Sequence, residues 1–285
     1  MGSPATLHLP TPASAAAVSV LAADACLLDV RPTDAFAAGH LCGAGHIEPQ
    51  DFGRRRAELP PRDARVIVLD DQPDRARAAA EQLGAMGYAQ VHWLEVSLAD
   101  LFGGHGDQSP AVRLWRPSPF LQRLLPLLPR GRVLDVAAGS GREAVFLAMH
   151  GFDVECWDRA PEALERAHAL AAGHGVSIRS RVTDLEYREV PEPGQFEVVM
   201  VFRFLHRALF PWLERAVAPG GALVYETYRQ GQEVHGRPTH PRFLLTSGEL
   251  SSAFPSLSVV LHEETEMPGG PVMSHLLARR PLIPV

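Results

Sequence analysis

The chain has few cysteines: three in 285 residues, Cys26, Cys42 and Cys156, odd in number and far apart. That excludes a disulfide framework and a zinc-ligand pair, so no metal site is expected, and a reducing cytoplasm is the natural compartment. It also has no apolar run of the roughly 20 residues needed to span a bilayer, so no membrane partner is expected. Residues Met1 to Pro12 contain no positive charge and no sustained apolar core; this is not the pattern of a signal peptide, and residues 1–14 read as a frayed leader. Positive charge is not in excess either. The net charge of −6 provides no global field to draw in nucleic acid, which argues against a nucleic-acid partner.

What is present suits a soluble globular protein: 46% hydrophobic and 21% charged residues. The length suggests about two domains at roughly 150 residues each. A soft seam lies at Gly103-Gly104-His105-Gly106-Asp107-Gln108-Ser109-Pro110, where glycine and proline cluster without apolar periodicity. The expected division is a first domain over 15–103, a linker over 104–112 and a second domain over 113–285.

Before the seam, short strands are expected at Cys26 to Val30, Arg65 to Leu69 and Val91 to Leu94. A helix from Arg75 to Met86 has Ala76, Ala79, Ala80 and Leu83 on one face. This is a small α/β domain with a parallel sheet. After the seam, strands are expected at Arg132 to Val136, Asp153 to Trp157, Val176 to Val182, Phe196 to Phe202, Ala222 to Thr227, Leu257 to Glu263 and Met273 to Ala278. Helices are expected at Arg142 to His150, Glu162 to Ala172 and Leu205 to Ala218, the last interrupted by Pro211. Such alternation implies a doubly wound seven-stranded, Rossmann-like sheet, here with an antiparallel last strand.

The strongest signal in the second domain is Leu134-Asp135-Val136-Ala137-Ala138-Gly139-Ser140-Gly141-Arg142, a strand running through a small-residue loop into a helix. Gly139 and Gly141 allow close backbone approach and positive φ, and the helix start offers free N–H groups. Gly139 to Ala144 also fits the G-x-G-x-x-G/A fingerprint of dinucleotide sites, with Asp158 at the right distance beyond. Asp135 weighs against that reading, because an acid in the loop region repels a pyrophosphate and attracts a cationic amino-acid moiety.

Here the sequence resembles class I S-adenosylmethionine-dependent methyltransferases. Asp135, Gly139 and Gly141 match the family's acid and glycines. Ala137 replaces the first glycine, which requires that this position not need positive φ. The resemblance implies that Asp158 holds the ribose hydroxyls and that Asp184, in Val182-Thr183-Asp184-Leu185, lies near the adenine. Ala218-Pro219-Gly220-Gly221-Ala222-Leu223 matches the turn into the fifth strand. The implied cofactor set is Asp135, Ala137, Gly139, Ser140, Gly141, Arg142, Asp158, Arg159, Asp184, Leu185 and Phe202. Simpler roles exist for two of these: Asp158 could cap the helix near Pro161, and Asp184 could be a turn residue. Within the class, Gly139-Ser140-Gly141-Arg142, Val145-Phe146-Leu147-Ala148 and Gly151-Phe152-Asp153-Val154 resemble tellurite-resistance-type and related small-molecule methyltransferases.

The acceptor side is expected beyond the fourth and fifth strands, around Arg203-Phe204-Leu205-His206-Arg207 and Glu226-Thr227-Tyr228. Arg203 and His206 are the candidate catalytic residues. Tyr228, Arg237 and His240 are candidate substrate contacts, the last two in a basic, His-rich stretch that suits an anionic acceptor. The Asn-Pro-Pro-Tyr-like motif of amine methyltransferases is absent after the fourth strand. A soft anion such as a thiolate or selenolate needs no base, whereas an amine or hydroxyl usually does.

The first domain resembles the rhodanese family, through Leu28-Asp29-Val30-Arg31, Ala35-Phe36-Ala37-Ala38-Gly39-His40-Leu41, Gly43-Ala44-Gly45-His46-Ile47 and Gly87-Tyr88-Ala89-Gln90-Val91. An active member carries C-x-x-G-x-R after its fourth strand. This chain has Asp70-Asp71-Gln72-Pro73-Asp74-Arg75 there, so the nucleophile is replaced by Asp70 and sulfurtransferase activity by the family mechanism is not expected. The domain is left with docking, homodimerisation, a protein partner or acceptor delivery. Together the two halves suggest a small-molecule methyltransferase with an inactive rhodanese-like module. Alternatives are methylation of a protein or tRNA, with the front domain as recognition module, and a non-catalytic sensor of the cofactor.

Overall fold

A computed structural model describes residues 11–13, 25–98, 106–187, 191–266 and 271–282. The chain divides into two compact units, Met1–Arg116 and Pro117–Val285.

The first unit is a five-stranded sheet in the order β1-β5-β4-β2-β3. Its strands are β1 (Thr11–Ala13), β2 (Ala25–Asp29), β3 (Ala44–His46), β4 (Arg65–Leu69) and β5 (Gln90–Leu94), all paired in parallel. The β-branched run Val66, Ile67, Val68 places β4 at the centre, fully buried. Helix α1 spans Thr33–Ala38 and α2 spans Pro73–Ala85. Proline opens α2, where a missing N–H costs nothing. Ala76, Ala79, Ala80 and Leu83 form its buried stripe, small enough to bring the helix axis close to the sheet. β3 and α1 were too short and weakly patterned to be read from the sequence.

Two expectations change here. Residues 11–13 do not fray with a leader: Thr11, Pro12 and Ala13 pair with His92, Trp93 and Leu94. Residues 1–10 lie outside the described residues. Nor does the stretch from residue 106 run free as a linker. His40 and Asp107 exchange backbone hydrogen bonds of 2.9 and 2.8 Å, Val112 N–H donates to the Ala44 carbonyl at 3.1 Å, and Leu114 joins the core of the first unit. Ladder bonds of this kind satisfy backbone groups that would otherwise need water.

The second unit is a seven-stranded sheet in the order β11-β12-β10-β9-β6-β7-β8. The strands are β6 (Arg132–Val136), β7 (Asp153–Asp158), β8 (Arg179–Val182), β9 (Phe196–Phe202), β10 (Val217–Tyr228), β11 (Ser258–Glu266) and β12 (Val272–Arg279). Only β12 runs against its neighbours. The helices are α3 (Pro119–Leu124), α4 (Arg142–Met149), α5 (Pro161–Gly173), α6 (Phe210–Ala216) and α7 (Glu249–Ser252).

Leu134, Val136, Val199, Val201, Leu223, Tyr225 and Leu276 face one core, closed by Trp212 and Leu213 of α6 and by Leu250 of α7. The strand expected from Val176 begins only at Arg179. The helix expected from Leu205 begins as a 3-10 turn at Arg207–Leu209 and becomes α-helical at Phe210, so Pro211 starts this helix rather than interrupting it. The strand order reverses between β6 and β9, the place where sheets of this kind bind ligands beyond their strand ends.

Candidate active site

The loop between β6 and α4 turns by means of three left-handed residues: Ala137 (φ 58°), Gly139 (φ 54°) and Gly141 (φ 72°). The requirement that position 137 avoid positive φ is therefore not met. Alanine occupies the conformation that glycine would adopt without strain, at a cost of order 1 kcal/mol. Gly141 is constrained twice, since an added Cβ would also come within 2.5 Å of the Ala167 Cβ on α5. An added Cβ on Gly139 would meet nothing within 4 Å, so the loop borders open space there.

Asp158, at the end of β7, ties this loop down. Its Oδ2 accepts from Gly139 N–H at 2.8 Å and its Oδ1 from Ala160 N–H at 2.9 Å. Each oxygen keeps a lone pair for a further donor.

Beside the loop, buried acids gather around one cation. Asp135 is 2% exposed and its Oδ2 has no hydrogen-bond partner. Burial, reinforced by Glu143, pushes its carboxyl well above the usual range, while Arg203 pulls the other way. Glu143, in the first turn of α4, is buried and accepts from Arg203 Nη2 at 2.7 Å. Arg203 follows β9 with φ 56° and donates its backbone N–H to the Glu226 carbonyl at 2.7 Å. Its guanidinium pKa is raised, chiefly by Glu143.

Glu226 is itself buried on β10. Its Oε2 accepts from Ser118 Oγ at 2.5 Å and lies 3.5 Å from His275 Nε2. Burial raises the Glu226 carboxyl, and Ser118 and Arg203 oppose that rise. Burial lowers the His275 imidazole. Ser118 also caps α3, accepting from the N–H groups of Phe120 and Leu121.

Glu143, Ser118 and His275 were not singled out in the sequence, and Glu226 only as part of a strand rim. The available signals were a lone acid directly after the apolar run Ala222 to Tyr225 and a Ser-Pro pair opening a helix. Every one of the 27 basic side chains is an arginine, so any fixed cation here has to be one.

The other candidates are spread over the neighbouring loops and strand ends. Ser140 and Arg142 are half-buried at the loop and helix start, and Phe202 is buried in register with Glu226. Asp184 is exposed, and its Oδ1 accepts from Glu186 N–H at 3.0 Å, an Asx turn. Leu185 is buried in the core, and next to Asp184 the buried Thr183 Oγ1 has no partner. Arg159 lies 3.7 Å from Glu186.

His206 does not join Arg203. It lines a cleft of about 500 Å³ with Glu186, Leu205, Arg207, Arg242 and Phe243. Arg207 is held there by Glu249 at 2.5 Å, and Arg242 stacks 4.4 Å above Phe243. Tyr228 is half-buried at the end of β10, close enough to Arg203 to raise its pKa. Arg237 and His240 are exposed, and His240 Nδ1 accepts from Arg242 N–H at 3.2 Å, a local cap.

In the first unit, Asp70 follows β4 at 1% exposure. It accepts from Gln72 N–H at 2.9 Å and lies 3.4 Å from Arg75. Burial raises its carboxyl. Arg31 is committed to Asp29, at 3.1 Å from Nε and 2.7 Å from Nη2, and reaches Asp71 at 3.4 Å. Cys42 is exposed, Cys26 half-buried and Cys156 buried.

Residues 14–101 match the rhodanese-like domain family and residues 133–221 the methyltransferase domain family. The chain carries a rhodanese-like domain followed by an S-adenosylmethionine-dependent methyltransferase domain. A ubiquinone biosynthesis O-methyltransferase of Xanthomonas campestris is 33% identical over 105 residues, 35% of this chain and 44% of that protein. A Haemophilus influenzae protein named "Probable S-adenosyl-L-methionine-dependent methyltransferase TehB" is 26% identical over 108 residues, 38% of this chain and 33% of that protein. The TehB crystal structure from the same organism aligns at TM-score 0.49 and 14% identity, covering 64% of this chain and 65% of that one. The chain thus spans a third to under half of the length of these two curated relatives.

Two features of the methyltransferase domain fit the cofactor. The orphaned Asp135 Oδ2 suits a cationic group, and the space over Gly139 admits a ligand against the backbone. Among the described residues, no helix is long and apolar enough to cross a membrane, and no cluster of side chains is arranged to hold a metal ion.

Proposed function

We propose that the chain transfers the methyl group of S-adenosylmethionine to a small, soft acceptor, a thiolate or an anionic selenium or tellurium species, and that its rhodanese-like domain is an accessory module without sulfurtransferase activity. When bound, the cofactor supplies an electrophilic methyl group on a sulfonium sulfur. Asp158 holds the ribose hydroxyls through the lone pairs left by Gly139 and Ala160. The Asp184 loop with Leu185 borders the adenine, and Arg159 and Phe202 flank the ligand. Gly139, Ser140, Gly141 and Arg142 line the backbone cradle, and Asp135 faces the cationic amino-acid end. Arg203 stands at the acceptor side of this acid cluster, and His206, Tyr228, Arg237 and His240 lie along the approach.

The observation that carries the acceptor class is how the buried groups are engaged. Ser118 and His275 are both turned to Glu226, and Glu143 to Arg203. None of these is presented as a base. An acceptor that ionises on its own needs none, and the protein's task reduces to holding nucleophile and methyl carbon in line.

The test is adenosylhomocysteine formation by the full chain with thiols, selenite, tellurite and bulk tRNA. Turnover with one of the small acceptors and none with tRNA is expected. Turnover with tRNA alone, or with none of them, contradicts the proposal.

A further inference from the structure

We propose that the acids Asp135, Glu143 and Glu226, buried around Arg203, make the cofactor pocket charge-selective. The pocket takes the cationic methyl donor in preference to the demethylated product and couples that choice to proton release. The inference rests on the cofactor assignment and is independent of the acceptor.

Three carboxyls meet a single guanidinium in this cluster, and all three are at most 5% exposed. Asp135 faces Glu143 and the Ala144 N–H from α4, Arg203 from the end of β9 and Asp158 from β7. Glu226 faces Ser118 from α3, Arg203 and Glu143, with His275 from β12 at 3.5 Å. Arg203 is engaged by Glu143, so Asp135 Oδ2 is left buried and without a partner. A buried charge without a counter-charge is costly and is relieved either by taking up a proton or by a cation. In the empty pocket the proton serves.

S-adenosylmethionine has an ammonium, a carboxylate and a sulfonium, a net charge of +1. Its product has lost the sulfonium charge and is a neutral zwitterion. The donor therefore replaces protons held by Asp135 and Glu226, whose carboxyls burial raises, and they pass to solvent. The product replaces fewer. The sign follows by linkage: a ligand that releases protons binds more tightly as pH rises, up to about tenfold per pH unit for each proton fully released. Selectivity for donor over product grows in the same direction, which limits product inhibition.

The experiment is calorimetric titration of the full chain with S-adenosylmethionine and with S-adenosylhomocysteine. It is run in buffers of different ionisation enthalpy, between about pH 5 and about pH 8, which spans the range above ordinary carboxylate pKa values. The donor is expected to release more protons than the product and to gain affinity more steeply with pH. Glu226→Gln, which keeps an acceptor for Ser118, should flatten the donor profile and leave the product profile unchanged. Glu143→Gln is the second variant if the first fails to fold. Parallel profiles for the two ligands in the wild type overturn the proposal, as does a donor profile unchanged in both variants. Absence of binding by either ligand instead overturns the cofactor assignment, a distinct result.

Discussion

Arg203 Nη2 lies 2.7 Å from Glu143 Oε1, although one residue follows β9 and the other opens α4. The pair bridges the two loops that diverge at the reversal of strand order. Arg203→Ala leaves a buried carboxylate without its cation and keeps a left-handed non-glycine residue. A loss of about 1–3 kcal/mol is expected in urea unfolding. Arg203→Gly relieves the backbone and should cost up to about 0.5 kcal/mol less than the alanine variant. A glycine variant more stable than wild type would show that the ion pair contributes little.

Ala137, at φ 58°, gives a prediction of opposite sign. Ala137→Gly should stabilise the protein by up to about 0.5 kcal/mol, because the left-handed cost slightly exceeds the entropy that glycine adds to the unfolded chain. Thermal unfolding reads this directly. A lower melting temperature would mean that the alanine methyl contributes packing that outweighs the strain.

Much of this site was legible in the sequence because strand ends and glycines are local features. Asp135, Gly139, Gly141 and Asp158 stand at positions fixed by where an apolar run stops. Glu143, Ser118 and His275 were not legible, nor were the pairings that join them to Arg203 and Glu226, because these contacts cross elements: Ser118 reaches Glu226 over 108 positions and Arg203 reaches Glu143 over 60. The fold was read for the same reason, with errors where proline or short elements blur the pattern. Pro211 starts a helix that was expected to begin at Leu205, and Thr11–Ala13 pairs with a strand some eighty residues on.

Asp70, Asp135 and Glu226 all have carboxyls raised by burial. In each case the folded state binds the proton more tightly than the unfolded chain. The stability they contribute is full below the ordinary carboxylate range and is lost as pH rises through the raised values. Asp70→Asn keeps the acceptor for Gln72 N–H and removes that loss. Relative to wild type it should be stabilising near neutral pH, with the difference shrinking toward about pH 4. A difference that grows on acidification would contradict the burial argument.

The front domain should show no thiosulfate:cyanide sulfurtransferase activity above a cysteine-free control. Asp70→Cys alone should not restore it. Asp71 is retained beside the new thiol, Pro73 withholds an N–H, and Arg31 is already committed to Asp29. Turnover by Asp70→Cys would show that the loop can still stabilise a sulfur anion.

The most direct test of the cofactor site is calorimetric titration of S-adenosylmethionine into the wild type and into Asp158→Ala, with thermal unfolding of both as a control on folding. The wild type should bind one equivalent saturably, and the folded variant should bind at least about tenfold more weakly, as expected for the loss of charge-assisted hydrogen bonds. Equal affinities in two equally folded proteins would contradict the assignment of Asp158 to the ribose, and with it the placement of the cofactor against the Gly139 loop.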